Sequence, residues 1–276
     1  HGNMPSSKHT DFFCLLRACI KQGSLTQARL VLAHLTFHGV SWDASSSLGD
    51  YVVVTLARCG CREDALSMAH HLPHPLTLFS WNALISGYVE SGFMQEALVC
   101  FEQMQSEHIL PDGVTYLYCL RACGAIKNLE KGRELHSMIP EEVLKKHPYL
   151  RNTLVDLYAK CGSLAKAQTV LENLPVRNVV SWNALISGYV LHGHNEEAIQ
   201  VFSQMFGGNH RPDKVTYLSL VKACASKVDL QLGKLIHNQM INDDIDIGVV
   251  IATSLIDMYA KCGSFENAWC LFEKLS

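Results

Sequence analysis

Residue types that can bind metals or move protons occur in three short clusters, His194-Asn195-Glu196, Cys59-x-Cys61 and His70-His71-x-x-His74. A zinc-activated water of the deaminase kind needs His-x-Glu together with Pro-Cys-x-x-Cys. No proline precedes a cysteine in this chain and no Cys-x-x-Cys spacing occurs, so His194-Asn195-Glu196 lacks its other half and reads as a polar turn between two helices. Cys59 and Cys61 flank Gly60 at another expected turn, whereas the histidines fall at the far end of the following helix and in the linker beyond it. A helical hairpin keeps those two ends apart, so no shared zinc site is expected and the histidines read as surface residues. There is no glycine-rich phosphate loop and no clustered carboxylate pair. The expectation is a chain that is not an enzyme and carries neither metal nor cofactor.

The stronger signal is repetition. Residues 80–89, Ser-Trp-Asn-Ala-Leu-Ile-Ser-Gly-Tyr-Val, recur unchanged at 181–190, an offset of 101. The same offset carries 158–163 onto 259–264 and Ala122-Cys123 onto Ala223-Cys224. It also relates Asn82 to Asn183 and Asp112 to Asp213, so amide and carboxylate groups return at fixed places. These side chains supply hydrogen-bond donors and acceptors.

The elements that carry them are helices. Trp81, Leu84, Ile85 and Tyr88 follow the i, i+3, i+4, i+7 spacing of an amphipathic helix, and Gly92 ends it. Ala97, Phe101 and Met104 form a second apolar stripe, which Pro111-Asp112 stops. The period therefore divides into helix–turn–helix units of 35, 35 and 31 residues: 78–112, 113–147 and 148–178, then 179–213, 214–248 and an incomplete 249–276. Arg17-Ala18-Cys19 matches Arg121-Ala122-Cys123 at an offset of 104 and extends the series upstream to 9–45 and 46–77. Residues 1–8 are expected to lie outside the repeats, as a foreign leader or an unstructured start. The last unit stops three residues short of its length, so a continuation beyond Ser276 is expected. One hairpin cannot bury its own apolar face, whereas stacked hairpins can, so the fold class is all-α, an α-solenoid.

Composition agrees with this. The chain of 276 residues is 48% hydrophobic with 8 prolines and a formal charge of −3. No global positive field draws in a polyanion, so a nucleic-acid partner would have to be held by local cations and base contacts. The 11 cysteines recur at helical positions and read as buried reduced thiols rather than a disulfide framework. No run reaches the roughly 18 apolar residues of a membrane span.

The tetratricopeptide pattern fits much of 78–112 through Trp81, Leu84, Tyr88, Ala97, Phe101 and Pro111, but Ile85 stands where glycine belongs. The rotation of 35, 35 and 31 resembles instead the pentatricopeptide repeat family, in its plant subclass of alternating P, L and S motifs. The phrases that carry this are Val180-Ser181-Trp182-Asn183-Ala184-Leu185-Ile186 for P, Lys222-Ala223-Cys224-Ala225 for L, and Asp257-Met258-Tyr259-Ala260-Lys261-Cys262-Gly263 for S. On this reading 9–45, 113–147 and 214–248 are L repeats, 46–77, 148–178 and 249–276 are S repeats, and 78–112 and 179–213 are P repeats.

The resemblance implies a right-handed superhelix that binds single-stranded RNA, one base per repeat, through the fifth and last residues of each. Asn82 with Asp112, and Asn183 with Asp213, are then the pairing associated with uracil. Asn152 with Asn178 is associated with pyrimidines, and Thr253 with a purine. Asp50 with Thr77 is an unfamiliar pair, while Phe13, Leu117 and Leu218 at the L positions have no polar group to read an edge. The second residues, Phe79, Tyr149, Val180 and Val250, with Val114 and Val215 in L repeats, are implied to wedge between bases; on the residues alone they could equally be apolar contacts between repeats. Arg58, Lys160 and Lys261 recur at the thirteenth position of the S repeats as phosphate contacts, against Glu90 and Leu191 in P repeats.

The implied register is 5′-NNUNYUNR-3′. The implied role is site recognition for cytidine-to-uridine editing or another RNA-processing event in a mitochondrion or chloroplast. A deaminase would act in trans or in a segment beyond this chain, and multiple organellar RNA editing factors are implied partners of the L repeats. The alternative is a tetratricopeptide-like scaffold that binds proteins.

Overall fold

A computed structural model describes residues 6–37, 48–73, 75–208 and 210–274. Among these there are 17 helices and no strand, as expected for an α-solenoid. His74 of the histidine cluster lies outside the described residues. None of the helices is long and apolar enough to cross a membrane.

The helices fall into two compact units, one of residues 1–126 with 137–143 and one of residues 127–136 with 144–276. In the first, α1 (Ser6–Gln22), α3 (Leu48–Arg58), α5 (Leu78–Glu90) and α7 (Gly113–Ala125) pack each on the next, and α2 (Leu25–Phe37), α4 (Arg62–His71) and α6 (Met94–Ser106) each rest on the following member of that row. The second unit repeats the plan. Its row is α10 (Tyr149–Lys160), α12 (Val179–Leu191), α14 (Lys214–Lys227) and α16 (Val249–Lys261); α11 (Leu164–Glu172), α13 (Asn195–Gly207) and α15 (Leu230–Asn242) each contact the next of these, and α17 (Phe265–Glu273) packs back on α16. The first helix begins at Ser6, inside the stretch 1–8 expected to stand apart.

The apolar stripes read from the sequence are the core. Trp81, Leu84, Ile85 and Tyr88 are buried on α5, and Ala97, Phe101 and Met104 on α6. Between α5 and α6 the chain reverses through Gly92 at φ 85°, where Gly92 and Phe93 donate back to the carbonyls of Val89 and Tyr88 at 3.1 and 2.9 Å. A left-handed residue there satisfies carbonyls the helix leaves open. Gly193 does the same after α12, at φ 79°.

The stretch 113–147 departs from a simple hairpin. After α8 (Leu129–Met138) a third, short helix follows, α9 (Glu141–Lys146). Pro140 has no N–H to give and its ring meets the carbonyl four residues back, so α8 cannot run on. The chain restarts with Glu141 and Glu142 in the first turn and Lys145 and Lys146 in the last, charges that suit the helix dipole.

Tyrosines on the first helices tie repeats together. The hydroxyls of Tyr158 and Tyr259 hydrogen-bond with Nδ1 of His136 and His237 at 2.8 and 2.9 Å, and Tyr189 donates to Gln168 at 2.8 Å. Burial, helped by Lys166 and Arg151 at His136 and by Lys274 at His237, holds both histidines below the ordinary imidazole range.

The row of first helices needs small residues where helices cross. A Cβ added to Gly188 on α12 would stand 2.5 Å from Cβ of Ala159 on α10. Helix propensity alone favours alanine over glycine by about 1 kcal/mol. Gly188→Ala is nevertheless expected to destabilise the protein by about 1–3 kcal/mol, because α12 must back away from α10. Urea unfolding checks the sign.

Candidate nucleic-acid interface

Thr77, Asp112, Asn178 and Asp213, each expected to end a repeat, are also the residues that cap the helix that follows. Asp112 caps α7, its Oδ1 accepting from the backbone N–H groups of Val114 and Thr115 at 3.0 and 2.9 Å, while Thr115 Oγ1 accepts from Asp112 N at 3.2 Å. This reciprocal box satisfies donors that a helix start leaves open. The same Oδ1 accepts from Nδ2 of Asn82 at 3.1 Å, and Thr115 Oγ1 donates to the Asn82 carbonyl oxygen at 2.6 Å. The amide is thus held by both ends, which assigns its orientation. One N–H of Asn82 and the second oxygen of Asp112 carry none of these bonds, so a donor and an acceptor stand side by side.

The arrangement recurs 101 residues on. Asn183 Nδ2 donates to Asp213 Oδ1 at 2.8 Å and Thr216 Oγ1 donates to Asn183 Oδ1 at 2.6 Å, with Asp213 capping α14 in the same box. Asn183 sits deep, 7% exposed. In the third case Asn152 Nδ2 reaches Asn178 Oδ1 at 3.5 Å, a longer contact, and Asn178 caps α12 with Ser181. Thr115, Thr216 and Ser181 were not singled out from the sequence, although the spacing of a capping residue and a hydroxyl three positions later was there to be read.

In the fourth case the carboxylate comes from the other member of the pair. Asp50 is 4% exposed, and its Oδ1 accepts from Ser80 Oγ at 2.8 Å and from Thr77 N at 3.3 Å. Thr77 in turn caps α5. Oδ1 of Asp50 thus stabilises the start of α5. Thr253 is exposed, its hydroxyl donating to the carbonyl of Val249 at 2.7 Å.

The second residues stand out from the surface. Phe79, Tyr149, Val180 and Val250 are 50, 39, 58 and 67% exposed, and Val114 and Val215 are 38 and 51% exposed. Around Asn82 the pieces form one cleft of about 540 Å³, with Phe79 and Val114 among its walls, Asn82 and Asp112 within it, and Arg58 and Tyr118 also lining it. Tyr118 donates to Glu90 at 3.2 Å and lies 5.6 Å from the Arg121 guanidinium, a group the sequence reading did not pick out. At Leu218 in the second unit the cleft is smaller, about 290 Å³, and mostly apolar, with Val215, Leu218 and Val250 beside the Lys214–Asp246 ion pair.

Of the three recurring cations, Lys160 and Lys261 pair with Asp156 and Asp257 at 2.7 and 2.8 Å, one turn away on the same helix. Exposed pairs of this kind hold by at most about 1 kcal/mol, so a phosphate can displace the carboxylate. Glu196 of the His-x-Glu cluster pairs with Lys227 at 2.7 Å. Cys61 Sγ donates to Asp64 at 2.7 Å and accepts from Arg29 at 3.0 Å. No group of three potential metal ligands occurs among the described residues, and all 11 cysteines are free thiols.

Burial acts to raise the carboxyl of Asp112, but hydrogen bonds from Thr115, Asn82 and Val114 outweigh it, and the net shift is downward. It is therefore an acceptor at neutral pH. A carboxylate depressed on folding adds stability above its unfolded pKa of about 3.9, and this is lost as pH falls through the folded value. The stability difference between the protein and Asp112→Asn, which keeps a capping side chain, is expected to stay constant from pH 8 to 5. It should shrink only in more acid solution, as followed by urea midpoints.

Comparison with known proteins gives a consistent picture. The PPR repeat family model matches residues 77–125 and 177–226, and the PPR repeat model matches 150–179 and 250–276. A pentatricopeptide repeat-containing protein of Arabidopsis thaliana is 35% identical over 280 residues, 98% of this chain and 39% of its own length. Two others from that plant, one named chloroplastic and one mitochondrial, are 33 and 32% identical over 261 residues, 95% of this chain and 42 and 41% of theirs. The chain thus spans about two fifths of these relatives. Among solved structures, the pentatricopeptide repeat protein PPR10 in complex with an 18-nt psaJ RNA element aligns with a TM-score of 0.73 at 20% identity, over 91% of this chain and 37% of that one. PPR10 from maize aligns with a TM-score of 0.58 at 21% identity, over 99% and 44%.

Proposed function

Because the chain belongs to the pentatricopeptide repeat family, we propose that it binds single-stranded RNA, one base per repeat. The observation that carries this is the cleft around Asn82. A flat base fits between Phe79 and Val114, and the outward N–H of Asn82 beside the free oxygen of Asp112 offers one donor and one acceptor to its edge. Uracil presents a carbonyl oxygen next to an N–H and meets both. That a related fold, PPR10, was crystallised with an RNA element supports the same reading.

The finer assignment follows the register 5′-NNUNYUNR-3′, with uracil at Asn82–Asp112 and Asn183–Asp213, a pyrimidine at Asn152–Asn178 and a purine at Thr253. Asp50 and Thr77 contribute no reading edge. Arg58, Lys160 and Lys261 supply the phosphate contacts. Relatives named chloroplastic and mitochondrial support an organellar transcript as target, with recognition for cytidine-to-uridine editing as the role and the deamination done by another protein or another segment. The apolar cleft at Leu218 supports a second, compatible contact, with a protein partner such as an editing factor. Pull-down with and without nuclease separates protein-borne from RNA-borne association.

Titration with eight-nucleotide RNAs tests the register. RNAs carrying both uridines are expected to bind more tightly than RNAs lacking them, and equal affinity sinks the proposal. Asn183→Ser should weaken uracil preference at one position only, and Asp112→Asn should move the other position from uracil towards cytosine while the fold is kept. Three phosphate contacts predict a shallow slope of about −2 in log affinity against log salt, from roughly −0.7 per contact on a single strand.

A further inference from the structure

The groove ahead of the Asn82 cleft has lost its edge-reading groups and carries rings in their place. Phe13 occupies the reading position of the first L repeat, and Asp50 of the first S repeat is withdrawn into the core at 4% exposure. Beside them Tyr51 packs edge to face with Phe13, centroids 5.0 Å apart at 84°, and lies 6.2 Å from Phe79 at 44°. The Arg17 guanidinium sits 5.9 Å from the centre of the Tyr51 ring, and its Nε donates to the Tyr51 hydroxyl at 3.4 Å. Phe13 and Tyr51 are half-buried and Phe79 is half exposed. Phe79 is also a wall of the Asn82 cleft, so the run of rings leads directly into it.

We propose that Phe13, Tyr51 and Phe79, with Arg17, form a base-stacking platform for the two nucleotides on the 5′ side of the first uridine, whatever their identity. This rests on the RNA-binding reading above and on its parallel register. Every nucleobase has a π face, so stacking on aromatic rings and guanidinium planes gives affinity without choosing a base. Phe13 has no donor or acceptor that would choose one, and Oδ1 of Asp50 is engaged by Ser80 and Thr77. The platform adds grip at the start of the array and the uridines supply the specificity.

Abasic RNA tests this on the unaltered protein. With both uridines in place, removing the two upstream bases is expected to weaken binding by roughly tenfold or more, whereas exchanging them among the four bases should change it by less than about threefold. Tyr51→Leu should weaken binding to the base-bearing RNA and leave the abasic RNA unchanged. 2-Aminopurine placed upstream should be quenched on binding to the unaltered protein and less so to Tyr51→Leu. Equal affinity for abasic and base-bearing RNA overturns the platform, as does an identity effect larger than the effect of removal. If the uridine preference persists while these fail, only the platform is wrong; if uridine preference is also absent, the RNA reading falls with it.

Discussion

One carboxylate oxygen does two jobs at Asp112, and again at Asp213. Oδ1 of Asp112 closes the box that starts α7, and it anchors the amide of Asn82 on α5. A helix start needs such an acceptor whether or not the protein binds anything, because its first N–H groups have no partner within the helix. Once Oδ1 is committed, the second oxygen and one amide N–H remain, and their orientation is set by the backbone rather than by a flexible side chain. Precision at the site is thus inherited from helix capping, and the polar groups are organised before a ligand arrives.

The same constraint explains why neighbouring positions differ. Where the capping residue is Thr77, it has no carboxylate to give, and Asp50 from the preceding helix supplies one instead, to Ser80 and to the Thr77 N–H. The charge moves from the capping residue to the fifth position, and the side chain sinks inward to reach. The Leu218 side chain has no hydrogen-bonding group, and the cleft there is mostly apolar, with the Lys214–Asp246 ion pair at its edge. Polar and apolar positions thus both occur among the first helices, in a chain whose formal charge is −3.

Much of this was legible in the sequence because repetition exposes it. The offset of 101 residues located the helices, the glycine turns, and Asn82 and Asn183 with their partners Asp112 and Asp213. The break at Pro140 was equally readable, since proline cannot continue a helix, yet the repeat pattern masked it by suggesting one hairpin. Asp50 could not be placed from its register alone. Its burial depends on which hydroxyl and which N–H lie across the boundary, and that is a matter of three residues in space. The rings of Phe13, Tyr51 and Phe79 were hidden for a similar reason, each belonging to a different repeat.

The Asn82–Asp112–Thr115 triad has a consequence for how such arrays can be rebuilt. The boundary that looks natural in sequence, just after Asp112, cuts through this hydrogen-bonded group. A block exchanged at that boundary would carry its own amide and carboxylate but meet a foreign hydroxyl. A seam placed just after Thr115, inside α7, leaves all three together. The unit of exchange is therefore offset from the unit of repetition by about one helical turn.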